Sequence, residues 1–147
     1  MVQQSPGVTA VAHAIQLAVA PVFLLSGIGA MLAVLTNRLA RIIDRGRTLE
    51  ARLAAGPSDA GTRIHAELAA LHRRAQLIGR AITLCTLTAL LVCAVIATLF
   101  LGAFARFDTS VPVALLFVAA MVAFFVGLLF FLREIFIATS NLRIGPH

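Results

Sequence analysis

Charged side chains are absent from three long stretches of the chain, and this pattern predicts its main elements. Residues 1–37, 81–105 and 109–132 contain no Asp, Glu, Lys or Arg. A helix needs about 20 mainly apolar residues to cross the hydrocarbon core of a bilayer, and each stretch is at least that long. The pattern therefore predicts an all-α integral membrane protein with three transmembrane helices. No basic residue precedes the first stretch, so we expect it to be retained rather than cleaved as a signal peptide.

The apolar pattern of the first stretch continues into the charged region that follows it. Apolar or small residues recur at steps of four and three, at Leu17, Pro21, Leu24, Ile28, Met31, Leu35, Leu39, Ile42, Gly46, Leu49 and Leu53. No helix stop signal interrupts this pattern, so it predicts one continuous helix from about Ala12 to Ala54, with a kink at Pro21. Upstream, Ser5 followed by Pro6 is typical of a helix start, with a hydroxyl cap and a proline at the first helical position. At 1.5 Å per residue the helix would be about 65 Å long, roughly twice the hydrocarbon thickness.

A turn is predicted at residues 56–61, whose sequence is GPSDAG, with Ser58 or Thr62 as the N-cap of the next helix. Beyond the turn the steps of four and three recur at Ile64, Leu68, Leu71, Ala75, Ile78, Ile82, Cys85, Ala89, Val92, Ile96, Leu99 and Ala103. This repeat is typical of coiled coils. We predict that the first two transmembrane helices extend into a long cytoplasmic antiparallel coiled-coil hairpin.

These elements divide the chain into seven predicted segments. They are a short outer N-terminal segment (1–13), transmembrane helix 1 (14–37), a cytoplasmic basic helical hairpin (38–79, turn 56–61), transmembrane helix 2 (80–105), an outer loop (106–110), transmembrane helix 3 (111–132) and a cytoplasmic C-terminal tail (133–147). Ser110 is the predicted cap of the third helix, which should continue past Leu132 as an amphipathic helix.

Positive charge is concentrated between Thr36 and Arg80, which contains nine arginines and four carboxylates. The net charge of +6 would suggest nucleic acid in a soluble protein, but these arginines border apolar spans. Basic residues mark the cytoplasmic side of a membrane protein, so the N-terminus is predicted outside and the C-terminus inside, with no nucleic acid partner. The arginines expected to contact anionic lipid headgroups are Arg38, Arg45, Arg80 and Arg133.

A layer of polar residues is predicted at the inner membrane boundary. Its members are Asn37, Arg38, Arg41, Asp44, Arg80, Arg133 and Glu134. A lone carboxylate is costly at this depth, so Glu134 should pair with Arg38, Arg41 or Arg80. Asp44 lies three residues from both Arg41 and Arg47 and should be their local charge partner. The layer either fixes the helices and anchors them to phosphates, or it forms an ion or lipid site.

A polar patch of small residues in the first span includes Gln16, Ser26, Gly27 and Gly29. Small residues let helices approach closely, so this patch predicts a helix packing face. The alternative is a polar pore wall. The possible pore-lining residues are Gln16, Phe23, Gly27, Ala30, Val34, Asn37 and Arg41.

The sequence offers no pattern typical of an enzyme, a cofactor site or a metal site. His65 and His72 are two helical turns apart, about 10 Å, which is too far to hold one metal ion. Cys85 and Cys93 are about 12 Å apart along one helix and cannot form a disulfide with each other. No nucleophile with a nearby base, phosphate-binding loop or pair of facing carboxylates is found.

Several runs of the sequence resemble a known family. They are Ile15–Ala18, Pro21–Leu25, Leu35–Arg45, Arg73–Arg74 with Ile78, Arg80–Ile82, Phe131–Phe136 and Leu142–Ile144. The chain resembles, from about Ala14 to Ile144, an uncharacterised family of small bacterial membrane proteins filed as domain of unknown function 2721. The resemblance implies a multi-pass protein of the bacterial cytoplasmic (inner) membrane with three spans. It implies no activity.

Two functions remain open at this point. The first is a non-enzymatic, self-associating scaffold or interaction protein, a homo-oligomer whose basic hairpin is its contact surface. The second is an oligomeric, anion-favouring ion channel, with transmembrane helix 1 lining a pore between subunits and an arginine ring at Arg41.

Overall fold

The computed structural model describes residues 6–56, 61–105 and 108–140, and within them the chain forms three helices. Helix α1 spans Pro6–Ala54, α2 spans Gly61–Ala105 and α3 spans Ser110–Ser140. The all-helical class and the three-helix count are therefore confirmed. The predicted N-cap Ser58 lies outside the described residues, as do Arg106 of the predicted outer loop and residues 141–147 of the predicted tail.

Helix α1 begins at Pro6, the predicted helix start, and is continuous with the helix predicted from about Ala12. Proline is well tolerated at the first helical position, because the backbone N–H that it lacks would have no partner there. The helix continues through Pro21, which is buried. Gly56, two residues beyond the end of α1, has a φ of 139°, which residues with a side chain rarely adopt. Residues 57–60 of the predicted turn lie outside the described residues.

Helix α3 starts in a different way from the predicted Ser110 cap. The backbone N–H and the hydroxyl of Ser110 both donate to Oδ1 of Asp108, and the Thr109 carbonyl accepts from the N–H of Val113 at 3.0 Å. Ser110 is thus the first helical residue and a donor, while Asp108 provides the acceptor. These hydrogen bonds lower the pKa of the Asp108 carboxyl, because they stabilise its charged form.

Each of the three helices is long and apolar enough to cross a membrane, which indicates a multi-pass membrane protein. Large apolar side chains on all three are exposed, among them Phe23 (74%), Phe104 (77%) and Val111 (67%). So many large apolar side chains exposed to solvent are unusual in a soluble monomer, and lipid is the solvent that suits them.

The chain divides into two compact units. The first contains the residues up to Met31 together with Leu84–Phe125. Its core is built largely from small side chains, namely Ala14, Ala18, Cys85, Thr88, Ala120 and Ala123, with Ile28, Val92 and Val95. Small residues allow the close helix approach that is common in membranes. The buried hydroxyl of Thr88 donates to the Leu84 carbonyl at 2.8 Å, so its polarity is satisfied within α2.

The second unit contains Leu32–Thr83 and the residues from Val126 onward. Its buried side chains are Leu35, Ile42, Leu49, Leu77, Ile78, Ala81 and Glu134. Leu35, Ile42 and Leu49 follow one another at intervals of seven residues, so they lie on one face of α1. This core is more apolar and bulky than that of the first unit, apart from one carboxylate.

The residues that α2 buries match the predicted repeat at alternate positions, and at the positions between them the buried residue comes one earlier in the sequence than predicted. Ile78, Cys85 and Val92 are buried as predicted, but the positions between them are Ala81, Thr88 and Val95. The predicted Ile82, Ala89 and Ile96 are only half-buried. In α1, the predicted Leu17 is 49% exposed, while Ala14 and Ala18 are buried instead.

Candidate functional site

The second unit contains a fully buried carboxylate, Glu134 of α3, held by arginines of the other two helices. Arg74 of α2 donates from Nε and Nη2 to Oε1 of Glu134, at 3.1 and 2.9 Å. Nη2 of Arg38, from α1, lies 3.0 Å from Oε2. The Glu134 side chain is 0% exposed, and those of Arg38 and Arg74 are 32% and 24% exposed. One carboxylate thus connects three helices.

The two arginines contact Glu134 in different ways. Arg74 is aligned for two charge-assisted hydrogen bonds, the strong class of such bonds. Arg38 is within ion-pair distance of Oε2, yet no donor in the described part of the chain reaches Oε2 in hydrogen-bond geometry. The contact with Arg38 is therefore one of charge, and the hydrogen-bond donors of Arg38 are not aligned with the carboxylate.

Aromatic rings contact two of the arginines. The Cζ atom of Arg38 lies 5.4 Å from the centre of the Phe131 ring, and that of Arg80 lies 6.0 Å from the Phe130 ring. A guanidinium over a ring face is stabilised by the negative potential of that face. Of the three predicted partners of Glu134, Arg38 is confirmed. Arg41 and Arg80 are not among its ion-pair partners in the described residues, where Arg80 contacts Phe130 and the second partner is Arg74.

The sequence indicates that Arg74 lies on the packed face of α2, but the predicted repeat includes Ala75 in its place. Arg74 lies seven residues before Ala81, and Glu67 lies seven residues before Arg74, so both lie on the face of α2 that continues through Thr88. The prediction placed Ile82 on that face instead of Ala81. A repeat shifted by one residue toward the N-terminus at these positions places Arg74 and Glu67 beside the first helix.

Glu67 forms the other ion pair of this face. Nε and Nη2 of Arg45 donate to Oε1 of Glu67 at 3.0 and 2.8 Å. Both side chains are about half exposed, 51% and 43%, so water screens the pair. Such surface pairs contribute about 0–1 kcal/mol. Their geometric role, joining α1 to α2, is larger than their energetic one.

Four arginines line a pocket of about 460 Å³ in the second unit, which we call the arginine pocket. Its lining residues are Arg38, Arg41, Ile42, Arg45, Leu71 and Arg74. No carboxylate is among these lining residues. The carboxylates of Glu134 and Glu67 contact three of the arginines without lining the pocket themselves.

A second depression of about 440 Å³ is mainly apolar, and we call it the isoleucine groove. Its lining residues are Ile42, Ile43, Gly46, Arg47, Glu50, Leu68, Leu71, His72 and Ala75. Ile42 and Leu71 contribute to both this groove and the arginine pocket. Ile43 is 43% exposed, so α1 presents a large apolar side chain at the groove.

Other members of the predicted polar layer are not drawn into these contacts. Asn37 and Asp44 are exposed, and Asp44 belongs to none of the three ion pairs formed within residues 6–56, 61–105 and 108–140. Arg133 lines a shallow, mainly apolar depression with Leu129 and Phe136. Arg38, Arg41 and Glu134 are the predicted members that the structure brings to or beside the arginine pocket.

The predicted pore-lining stripe is exposed throughout. Its residues Gln16, Phe23, Gly27, Ala30, Val34, Asn37 and Arg41 are each exposed. A Cβ atom added to Gly27 or Gly29 would meet nothing within 4 Å. The polar patch that includes Gly27 and Gly29 is therefore not a packing face within one chain.

In the part of the chain that the structure describes, no group of three or more His, Cys, Asp or Glu residues is placed to hold a metal ion.

Comparison with known proteins identifies a family. Neither a search of curated proteins nor a search of solved structures finds a match to the chain. The family described as "Protein of unknown function (DUF2721)" matches residues 18–144. Because this match covers most of the 147 residues, the chain belongs to the DUF2721 family.

Proposed function

We propose that this protein is a non-enzymatic, self-associating scaffold or interaction protein of the bacterial cytoplasmic membrane. Residues 38–79 would form a cytoplasmic, antiparallel coiled-coil hairpin, with the N-terminus outside and the C-terminus inside. Arg38 and Arg45 of this region, together with Arg80 and Arg133 outside it, would contact anionic lipid headgroups. The observation that carries the proposal is the isoleucine groove, an open apolar surface within a strongly basic region.

The hairpin is supported by the contacts of α1 with α2. Arg45 lies nine residues before the end of α1 and Glu67 lies six residues after the start of α2, so their ion pair joins the two helices near their connected ends, as an antiparallel hairpin requires. The buried residues Leu35, Ile42 and Leu49 recur every seven residues, as coiled-coil core positions do. The orientation follows from the arginines, which mark the cytoplasmic side in bacterial membrane proteins.

Self-association is supported by what remains open after α1 and α2 have packed. Ile43 remains 43% exposed beside Leu68 and Leu71 at the isoleucine groove. In water, an apolar groove gains stability when another side chain covers it. The polar edge of the groove includes one positive side chain, Arg47, and one negative side chain, Glu50. A second copy would present the same two charges at its own groove, so opposite charges are available on both sides.

The test is the mass of the full chain in lipid nanodiscs, measured by native mass spectrometry. The proposal predicts a complex of two or more 15.5 kDa protomers. Ile43→Glu places a charge in the groove and should weaken association by about 10-fold or more, since burial of such a side chain contributes about 1.5–3 kcal/mol. The matched control is Ala51→Glu, an exposed α1 residue that does not line the groove.

A monomeric wild-type protein would contradict the scaffold proposal. So would an unchanged complex in Ile43→Glu, or equal dissociation in Ile43→Glu and Ala51→Glu. In the last case the effect would come from added negative charge alone.

A second candidate, an anion-favouring channel, is favoured by one observation. The stripe from Gln16 to Arg41 is exposed along its whole length, as the wall of a pore between subunits would be in a single chain. The channel requires a ring of several subunits and ion flux in liposomes. Flux abolished by Gln16→Leu or by Arg41→Glu would place the channel above the scaffold, and a monomer or dimer would exclude the intersubunit pore.

A further inference from the structure

The arginine pocket has the composition of an anion site. Four guanidinium groups line it, from Arg38, Arg41, Arg45 and Arg74, and its lining contains no carboxylate. A surface where four like charges meet is unfavourable unless counter-charges compensate them. The two carboxylates that contact these arginines compensate only part of this charge.

The charge balance leaves two positive charges in excess. Glu134 contacts Arg38 and Arg74, and Glu67 contacts Arg45, so two negative charges face four positive ones. Arg41 takes part in no ion pair among residues 6–56, 61–105 and 108–140, and its side chain is exposed. A ligand with two negative charges would neutralise the pocket.

The guanidinium groups are held in place and still have free donors. Arg74 and Arg45 each use Nε and Nη2 to bind a carboxylate, and a guanidinium has five N–H groups, so each retains donors on Nη1. Arg38 contacts Glu134 by charge without an aligned hydrogen bond, and its guanidinium lies over Phe131. Carboxylates outside the pocket thus orient arginines whose remaining donors are available to a ligand.

We propose that the arginine pocket binds a phosphate group carrying two negative charges, as in inorganic phosphate or a phosphate monoester. Guanidinium groups bind phosphate oxygens in a bidentate manner, which favours this anion over chloride. The volume of about 460 Å³ and the apolar side chains of Ile42 and Leu71 leave room for a group attached to the phosphate. The phosphate could belong to a lipid headgroup or to a soluble ester. This proposal does not depend on self-association.

The experiment uses the full chain in nanodiscs of phosphatidylcholine, with two probes. The first probe is inorganic phosphate, titrated calorimetrically against chloride at equal ionic strength. The second is phosphatidic acid, whose headgroup is a phosphate monoester, added to the nanodisc lipid and followed by its retention in native mass spectrometry. Arg41→Gln is the test variant, because Arg41 lines the pocket without an ion pair that the change would break.

The matched control is Arg73→Gln, which removes the same charge from an exposed residue outside the pocket. Loss of one charged donor should weaken phosphate binding by about 10-fold or more in Arg41→Gln, while Arg73→Gln should change it by less than about threefold. Arg45→Gln, a second variant at the pocket, should behave like Arg41→Gln. Far-UV circular dichroism and the oligomer mass of the same samples separate loss of binding from loss of fold or of association.

Binding of inorganic phosphate with this pattern of variants supports a site for soluble phosphate. Retention of phosphatidic acid alone, with the same pattern, supports the lipid headgroup as the source. No binding of either probe overturns the proposal. Equal weakening in Arg41→Gln and Arg73→Gln also overturns it, because the binding would then depend on net charge and not on the pocket.

Discussion

Replacing Glu134 by glutamine removes the charge of the buried carboxylate and preserves its shape. Arg38 and Arg74 would then lose their shared counter-charge in a partly buried environment. Removing one partner from a buried ion pair costs about 3–5 kcal/mol. Because the two arginines are 32% and 24% exposed, water screens part of this loss. We expect Glu134→Gln to lower the free energy of unfolding by about 2–4 kcal/mol.

The two arginines should contribute unequally. Arg74→Gln removes two aligned hydrogen bonds to Glu134, whereas Arg38→Gln removes a charge contact without an aligned hydrogen bond. Arg74→Gln should therefore be the more destabilising single change. In the double variant Arg74→Gln/Glu134→Gln, the loss should be smaller than the sum of the single losses by about 1 kcal/mol or more.

The measurement is unfolding in detergent micelles by titration with sodium dodecyl sulfate. The chain has no Trp or Tyr, so far-UV circular dichroism replaces fluorescence. The control is Asp44→Asn, an exposed carboxylate in none of the ion pairs of the described ranges, which should stay within about 0.5 kcal/mol of wild type. A Glu134→Gln protein as stable as this control, or additive losses in the cycle, would refute the assigned role of Glu134.

Two further changes test the connection between α2 and α3. Gly102→Ala should lower the free energy of unfolding by about 1–3 kcal/mol, because the added Cβ would lie 2.5 Å from Cγ2 and 3.2 Å from Cβ of Thr109. The control is Gly79→Ala, whose Cβ would meet nothing within 4 Å and which should be neutral or stabilising in the same titration. The pKa of Asp108 is lowered in the folded chain by hydrogen bonds from Ser110, so its charge stabilises the fold above the pKa of the unfolded state, and this contribution disappears as pH falls through the folded pKa. Melting temperatures should favour wild type over Asp108→Asn at neutral pH and converge in strong acid; a constant difference across pH would contradict this.

The sequence was sufficient for those features that depend on local patterns. Spans are predictable because the cost of placing charge in lipid acts on each residue separately, and helix continuity from Pro6 to Ala54 follows from the absence of a stop signal. The pairing of Glu134 with an arginine was predictable because an isolated carboxylate beside an apolar span is costly, but the choice of Arg38 among Arg38, Arg41 and Arg80 was left open.

Helix register could not be predicted in the same way. Ala81 and Ile82 are both apolar, and in lipid an apolar residue is equally acceptable on the outer and the packed face, so hydrophobicity does not distinguish the two. The prediction chose the larger residue, and the buried one is the smaller Ala81. The same one-residue difference left Arg74 off the predicted packed face, and its contact with Glu134 follows only from the packing of α2.

The contact of Glu134 with two arginines has a consequence for the order of biosynthesis. Arg38 and Arg74 are synthesised long before Glu134, since the chain grows from its N-terminus. Until α3 has been made, both arginines lack the carboxylate that compensates them, and the connection between the three helices cannot form. A nascent chain ending before Glu134 therefore presents uncompensated positive charge at Arg38 and Arg74, and the contact that connects the three helices forms only after α3 has been made.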